Sequence, residues 1–241
     1  MRYAVYFTPS EHDPLTRAAA NWLGRDAFSG ELLAAPSFDG LPAEEISRLT
    51  GEPRRYGFHG TIVAPFRLAD GVGLADLEES FDRFCAKTTS FFIEGLRIGQ
   101  LGPLGQLGSF LALLPTEAEY QLSAFAADAV LHFAPVRAAL TEAEIERRDP
   151  SKLTTRQAAY LRRHGYPFVM DEFRFHMTLS ERLPEETLAR VQPALERRFE
   201  AFTGHPLAID GLALFIEREA GAPFTVHSYR PLRPLEARKS A

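Results

Sequence analysis

Phe58-His59-Gly60-Thr61-Ile62 and Phe175-His176-Met177-Thr178-Leu179 share one pattern, Phe-His-x-Thr-aliphatic, and their histidines stand 117 positions apart. With 19 Phe and 7 His in the chain, one such match is expected by chance roughly 0.006 times, so the pair counts as an internal repeat. In a strand, residues i and i+2 share a face. His59 and Thr61 then point one way, and Phe58, Gly60 and Ile62 the other. Around the second copy Arg174, His176, Thr178 and Ser180 form one face, with Phe173, Phe175, Met177 and Leu179 behind it. Each strand buries an apolar face and presents an imidazole and a hydroxyl opposite. If two lobes pack with those faces together, two His and two Thr meet in one cleft.

The surrounding sequence reads as mixed helices and strands. Tyr3–Phe7 is a short strand, and Pro14–Leu23 a helix capped by Asp13 and ended by Gly24. A stretch dotted with Pro and Gly follows from Ser29 to Pro53, with a short helix over Ala43–Leu49. Phe58–Val63 is a strand, and Leu74–Lys87 has helical periodicity through Leu77, Phe81, Phe84 and Cys85. Phe91–Ile98 and Ser109–Leu114 read as strands joined by a long glycine-rich hairpin loop, Gly99–Gly108. Thr116–Phe133 reads as a helix with Thr116 and Glu119 as a capping box. The charged segment Thr141–Gly165 reads as two short surface helices and a candidate lid. Phe173–Ser180 is a strand, Pro184–Phe202 a helix, and Leu207–Ile216 and Phe224–Tyr229 two last strands before a tail from Pro231. The order strand, helix, strands recurs loosely in each half. That favours α+β with two similar lobes over a doubly wound parallel sheet. No linker divides the chain, so residues 1–241 are read as one bilobal domain.

Composition narrows the function. The 241 residues are 45% hydrophobic and 24% charged, with 19 Phe, 7 Tyr and 1 Trp, ample for a packed core. The formal charge of −5 speaks against wrapping long nucleic acid, which needs a broad basic footprint. A local basic pocket for one phosphate is compatible with it. The single cysteine, Cys85, sits on an apolar helix face and reads as a buried structural thiol. With one cysteine, an intramolecular disulfide and a cysteine-rich zinc site are both excluded. The N-terminal apolar run is too short for a signal peptide, and no stretch approaches the ~18 apolar residues of a membrane span. The expectation is a soluble cytoplasmic protein without membrane partners.

Two imidazoles and two hydroxyls in one cleft suit phosphodiester hydrolysis. The reaction needs a base for the attacking water and, opposite it, an acid for the departing alkoxide. Imidazoles can supply both without a metal. Thr hydroxyls can hold the non-bridging oxygens as charge redistributes. A two-histidine metal site is disfavoured, since His-x-Thr supplies one ligand per strand, short of the usual three or four. The catalytic candidates are His59, His176, Thr61 and Thr178, with no metal and no cofactor. Tyr56, Arg55 and Arg174 flank the motifs, and Arg25 lies near Trp22. All four are candidates to bind a terminal phosphate on the substrate.

These motifs resemble the 2H phosphoesterase superfamily, named for two His-x-[Ser/Thr]-x motifs. It includes cyclic phosphodiesterases and the bacterial proteins called 2′-5′ RNA ligases. The strings Arg55-Tyr56-Gly57-Phe58-His59-Gly60-Thr61, Ala64-Pro65-Phe66-Arg67-Leu68 and Trp22-Leu23-Gly24-Arg25-Asp26 resemble a branch found with phosphonate-utilisation genes. The resemblance implies a bilobal α+β fold with two pseudo-symmetric antiparallel sheets facing a central cleft and helices outside. It implies metal-independent action on a small cyclic phosphate, such as 5-phosphoribosyl 1,2-cyclic phosphate. By the same analogy His176 is the base and His59 the acid. Two alternatives stay open: an RNA-end 2′,3′-cyclic phosphodiesterase or 2′-5′ ligase, and a non-catalytic module that binds a phosphate ligand.

Overall fold

The computed structural model describes residues 1–102 and 108–235. Along it run β1 (Arg2–Phe7), α1 (Pro14–Leu23), α2 (Ala43–Leu49), α3 (Gly51–Tyr56), β2 (Gly60–Phe66), α4 (Leu74–Lys87), β3 (Phe91–Ile93), β4 (Leu96–Leu101) and β5 (Phe110–Pro115). There follow α5 (Tyr120–His132), α6 (Glu142–Glu146), α7 (Thr155–His164), β6 (Met177–Thr178), α8 (Glu185–Phe199), β7 (Leu207–Ile209), β8 (Gly211–Glu217) and β9 (Thr225–Pro231). The class is α+β with two antiparallel sheets. The larger has seven strands in the order β4-β5-β6-β2-β1-β8-β9, and the smaller pairs β3 with β7.

Burial explains the order. β8 is buried at every position and β1 at all but its first, so both lie inside the sheet with neighbours on each side. One face carries the main core. There Phe7, Ile62, Phe175, Met177 and Leu179 pack with Leu77 and Phe81 of α4, Phe125 and Ala129 of α5, and Leu188 and Leu195 of α8. A smaller, separate cluster holds Ala4, Tyr6, Ala27, Ala213, Phe215 and Phe224. Cys85 belongs to the main core, 2% exposed, and burial pushes its thiol up to about 12.

The two motif strands are not on opposed sheets, as the resemblance implied. β2 and β6 are neighbours in the larger sheet, joined through one register pair, Gly60 with Met177. Two sub-sheets, β4-β5-β6 and β2-β1-β8-β9, therefore meet edge to edge at this seam. Gly60 permits the contact, because a Cβ there would stand 2.4 Å from the Phe175 ring.

Several element boundaries differ from the sequence expectation. The stretch Phe91–Ile98 divides into β3 and β4, and Leu207–Ile216 into β7 and β8, since each long apolar run passes from the small sheet to the large one. The second motif strand shrinks to two residues. Beyond Thr178 the Leu179 and Ser180 amides share the Leu111 carbonyl, at 2.8 and 3.2 Å, and the Ser180 hydroxyl accepts the Leu111 amide proton at 2.9 Å, so the regular ladder ends there. The capping box at Thr116 does not form. Its hydroxyl faces the Gly95 carbonyl, Glu119 accepts from the Glu94 amide, and the helix starts at Tyr120. The helices expected over Thr141–Gly165 are α6 and α7, capped by Thr141 and Thr154. Part of the glycine-rich link, residues 103–107, and the tail 236–241 lie outside the described residues. Among the described residues no helix is long and apolar enough to cross a membrane.

Candidate active site

Both motifs show the alternation the sequence predicts. Phe58, Gly60 and Ile62 are buried while His59 and Thr61 are half-buried; Phe175, Met177 and Leu179 are buried while His176 and Thr178 are half-buried. Continuing the antiparallel register from Gly60–Met177 sets His59 across from Thr178 and Thr61 across from His176. His59 and His176 stand one residue outside β2 and β6, and on that extended register the four side chains would form the corners of a quadrilateral on one face. The imidazoles would lie on one diagonal and the hydroxyls on the other. Cross-strand corners are ~5 Å apart at Cβ and the diagonals ~7–8 Å.

Each imidazole is fixed in the same way. The His59 Nδ1 lies 2.9 Å from the Gly57 carbonyl, and the His176 Nδ1 lies 2.8 Å from the Arg174 carbonyl, in both cases the residue two before. A carbonyl only accepts, so each Nδ1 carries the proton and each neutral ring turns a basic Nε2 outward. For His59 the Thr61 hydroxyl donates to that nitrogen at 3.2 Å. Gly57 is needed for this turn, with φ at 77° and its missing Cβ 2.5 Å from the Ala27 methyl. Tyr6, next to Thr61 in the ladder, stacks on His59 with centroids 3.7 Å apart and 17° between planes. Phe110 packs 5.5 Å from the His176 ring.

Burial lowers both imidazole pKa values. His59 falls to about 4, with the Gly57 carbonyl opposing the shift and the neighbouring His176 adding to it. The free site therefore holds His59 neutral at pH 7. An anionic ligand between the rings would raise both values.

A cavity of about 420 Å³ opens over this face, lined by His59, Thr178, Tyr56, Phe110, Glu52 and Arg182 among others. His176 and Thr61 share the face but do not line that cavity. Of the other sequence candidates, Tyr56 is brought to the cavity, its ring 6.3 Å from His59. Arg174 is exposed and contributes its carbonyl to His176. Arg55 is engaged elsewhere: it bonds the Glu217 carboxylate at 2.6 Å and the Gly221 carbonyl at 3.0 Å. Arg25 is not at the site. It is 3% exposed and donates to the Arg54 and Phe224 carbonyls, tying α3 to the segment before β9. Sequence reasoning missed Arg182, although it continues the period-two series 174, 176, 178, 180 that the second motif starts. It also missed Tyr6, whose partner is 53 residues away in sequence. Among the described residues no three His, Cys, Asp or Glu side chains group as metal ligands.

The fold and this face define an α+β protein with a paired imidazole–hydroxyl site. Residues 61–225 match the family described as protein of unknown function (DUF1045), and the chain belongs to that family. It is 37% identical over 227 residues to the protein named ribose 1,5-bisphosphate phosphokinase PhnN of Janthinobacterium sp. (strain Marseille), covering 92% of this chain and 49% of that protein. The protein of the same name from Laribacter hongkongensis (strain HLHK9) is 32% identical over 230 residues, covering 93% and 50%. The chain thus spans about half the length of the curated relatives it matches. The crystal structure of TT0787 of Thermus thermophilus aligns over 98% of this chain and all of that one, with a TM-score of 0.48 and 16% identity.

Proposed function

We propose that this chain hydrolyses a small cyclic phosphodiester by two-histidine acid–base chemistry of the 2H phosphoesterase type. The observation that carries the reading is the matched hold on both rings, each Nδ1 on the carbonyl two residues before and each imidazole two residues from a Thr, on strands that pair at Gly60 and Met177. A phosphorus bound between the two imidazoles would have an Nε2 on each side, as in-line displacement requires. One neutral imidazole takes a proton from water as the water oxygen forms its bond to phosphorus. The ring P–O bond opposite breaks, and the other imidazole, protonated in the complex, gives its proton to the leaving alkoxide. The product is a monoester, and the two rings exchange their proton states through solvent before the next turnover. Thr178 donates to a non-bridging oxygen, where charge shifts in the transition state, and Thr61 does so once a protonated His59 Nε2 no longer takes its hydroxyl proton.

The relatives' name, a ribose bisphosphate phosphokinase, supports a phosphorylated sugar as ligand and a place in phosphonate metabolism. It does not support ATP-dependent transfer by this chain. The Gly-Lys-[Ser/Thr] of a P-loop is missing from the sequence, whose lysines 87, 152 and 239 follow Ala86, Ser151 and Arg238. The substrate class we assign is a sugar cyclic phosphate of the 5-phosphoribosyl 1,2-cyclic phosphate type.

The test is ³¹P NMR in excess EDTA with that compound, nucleoside 2′,3′-cyclic phosphates and a 2′-5′ dinucleotide. Turnover of the sugar cyclic phosphate is expected, with His59→Ala and His176→Ala each losing at least ~10²-fold while staying folded. Full activity in either variant, or turnover only after adding a metal, would sink the mechanism.

A further inference from the structure

A second cavity of about 400 Å³ lies on the same sheet, toward the start of β1. It is lined by Arg2 of β1, Ala64 and Pro65 of β2, and Glu217 of β8, and roofed by α6 and the end of α7. Arg2 is four residues along β1 from Tyr6, about 13 Å at the usual strand rise. The two cavities share no lining residue.

Charge in this cavity is unbalanced. Five arginines face it against two glutamates. Glu217, fully buried, is bound by Arg2 and Arg55. Glu144 is bound by Arg67 through both carboxylate oxygens, at 2.9 and 3.2 Å. Arg147 is exposed to water. That leaves Arg137 and Arg148, both half-buried, neither paired with a carboxylate among the described residues. Burial lowers each from the usual guanidinium range; repulsion from Arg148 adds to the shift of Arg137, while for Arg148 the Glu144 carboxylate opposes it and Arg2 and Arg147 add less.

Both guanidiniums are positioned by the C-terminus of α7. Arg137 donates to the Arg163 carbonyl at 3.0 Å, and Arg148 donates to the Gly165 carbonyl. A helix terminus offers about half a negative charge, too little for two cations, and one bond uses one of the five N–H donors of each. Gly165 makes room for this approach, since a Cβ there would sit 2.0 Å from Arg137 Nη1. Two planar forks, held at one wall and short of negative charge, match a dianion with several acceptor oxygens.

We propose that the cavity of Arg137 and Arg148 is a binding site for a phosphate monoester, separate from the imidazole cleft. Nothing in it depends on the hydrolytic reading of that cleft. The decisive experiment labels the wild-type protein with phenylglyoxal and maps modified arginines by mass spectrometry. Labelling is run with and without millimolar ribose 5-phosphate or inorganic phosphate, at constant ionic strength. Labelling of Arg137 and Arg148 is expected to slow at least tenfold, while exposed Arg17 reacts at an unchanged rate. Equal labelling with and without both ligands would overturn the proposal. A calorimetric titration of ribose 5-phosphate adds two variants. Arg148→Met should weaken binding at least tenfold, and His59→Ala should leave it unchanged. Loss of binding in His59→Ala alone would place the phosphate between the imidazoles and refute a separate site.

Discussion

Matched carbonyl locks on His59 and His176 decide what these side chains can do. A histidine whose Nδ1 is tied to the backbone has one free nitrogen and one orientation, which a general acid or base needs. His59 is also clamped against Tyr6, and that burial has a consequence for stability. Its pKa is about 4 in the folded protein against 6.5 unfolded. Between those values the unfolded chain binds a proton that the folded chain refuses. Stability therefore rises with pH across the window and is lost as pH falls from about 6.5 toward 4. Thermal melts of wild type and His59→Gln at pH 7 and pH 4.5 test this. The wild type should lose more Tm on acidification than the variant; an equal loss would show that His59 is not held neutral by its surroundings.

At the scale of elements, what was legible followed short-range periodicity. The two-residue alternation of each motif predicted which side chains face the site, and the alternation of burial agrees at every position from Phe58 to Ile62 and Phe175 to Leu179. The cap of α1 was equally local, with Asp13 accepting from the Leu15 amide and Gly24 at φ 78°. What the residues alone could not show was pairing. Nothing within Phe173–Ser180 tells that its strand lies beside β2 rather than across from it, nor that Arg55 will meet Glu217. Long-range hydrogen bonds fix those choices, and Trp22 makes one of them. Its indole donates to the Leu179 carbonyl at 2.8 Å, tying α1 to the end of β6, one residue from Thr178. Trp22→Phe keeps most of the bulk and leaves a buried carbonyl unpaired, costing about 1–3 kcal/mol. A Tm lower by roughly 3–10 °C is expected, with kcat falling further than KM changes. An unaltered melt would mean that this bond does not hold the second motif in place.

For the whole molecule, the seam between two sub-sheets is where the candidate catalytic residues gather. β4-β5-β6 brings His176 and Thr178, β2-β1-β8-β9 brings His59, Thr61 and Tyr6, and they meet at one register pair. The net charge of −5 surrounds two confined cavities that each hold arginine, rather than a basic stripe. That distribution fits a ligand with one or two phosphates and not a polymer tracked along its backbone. Ionic strength separates the cases, because each phosphate neutralised on a nucleic acid releases a condensed counterion. A protein making 6–10 such contacts loses about 10³–10⁵ in affinity between 50 and 200 mM salt. For this chain acting on a sugar cyclic phosphate, kcat/KM should fall less than about tenfold over the same range, since simple screening of one or two charges is all that is at stake. A fall of a thousandfold, or turnover that appears only with oligonucleotides, would shift the assignment to an RNA-end enzyme whose binding surface extends beyond the cleft.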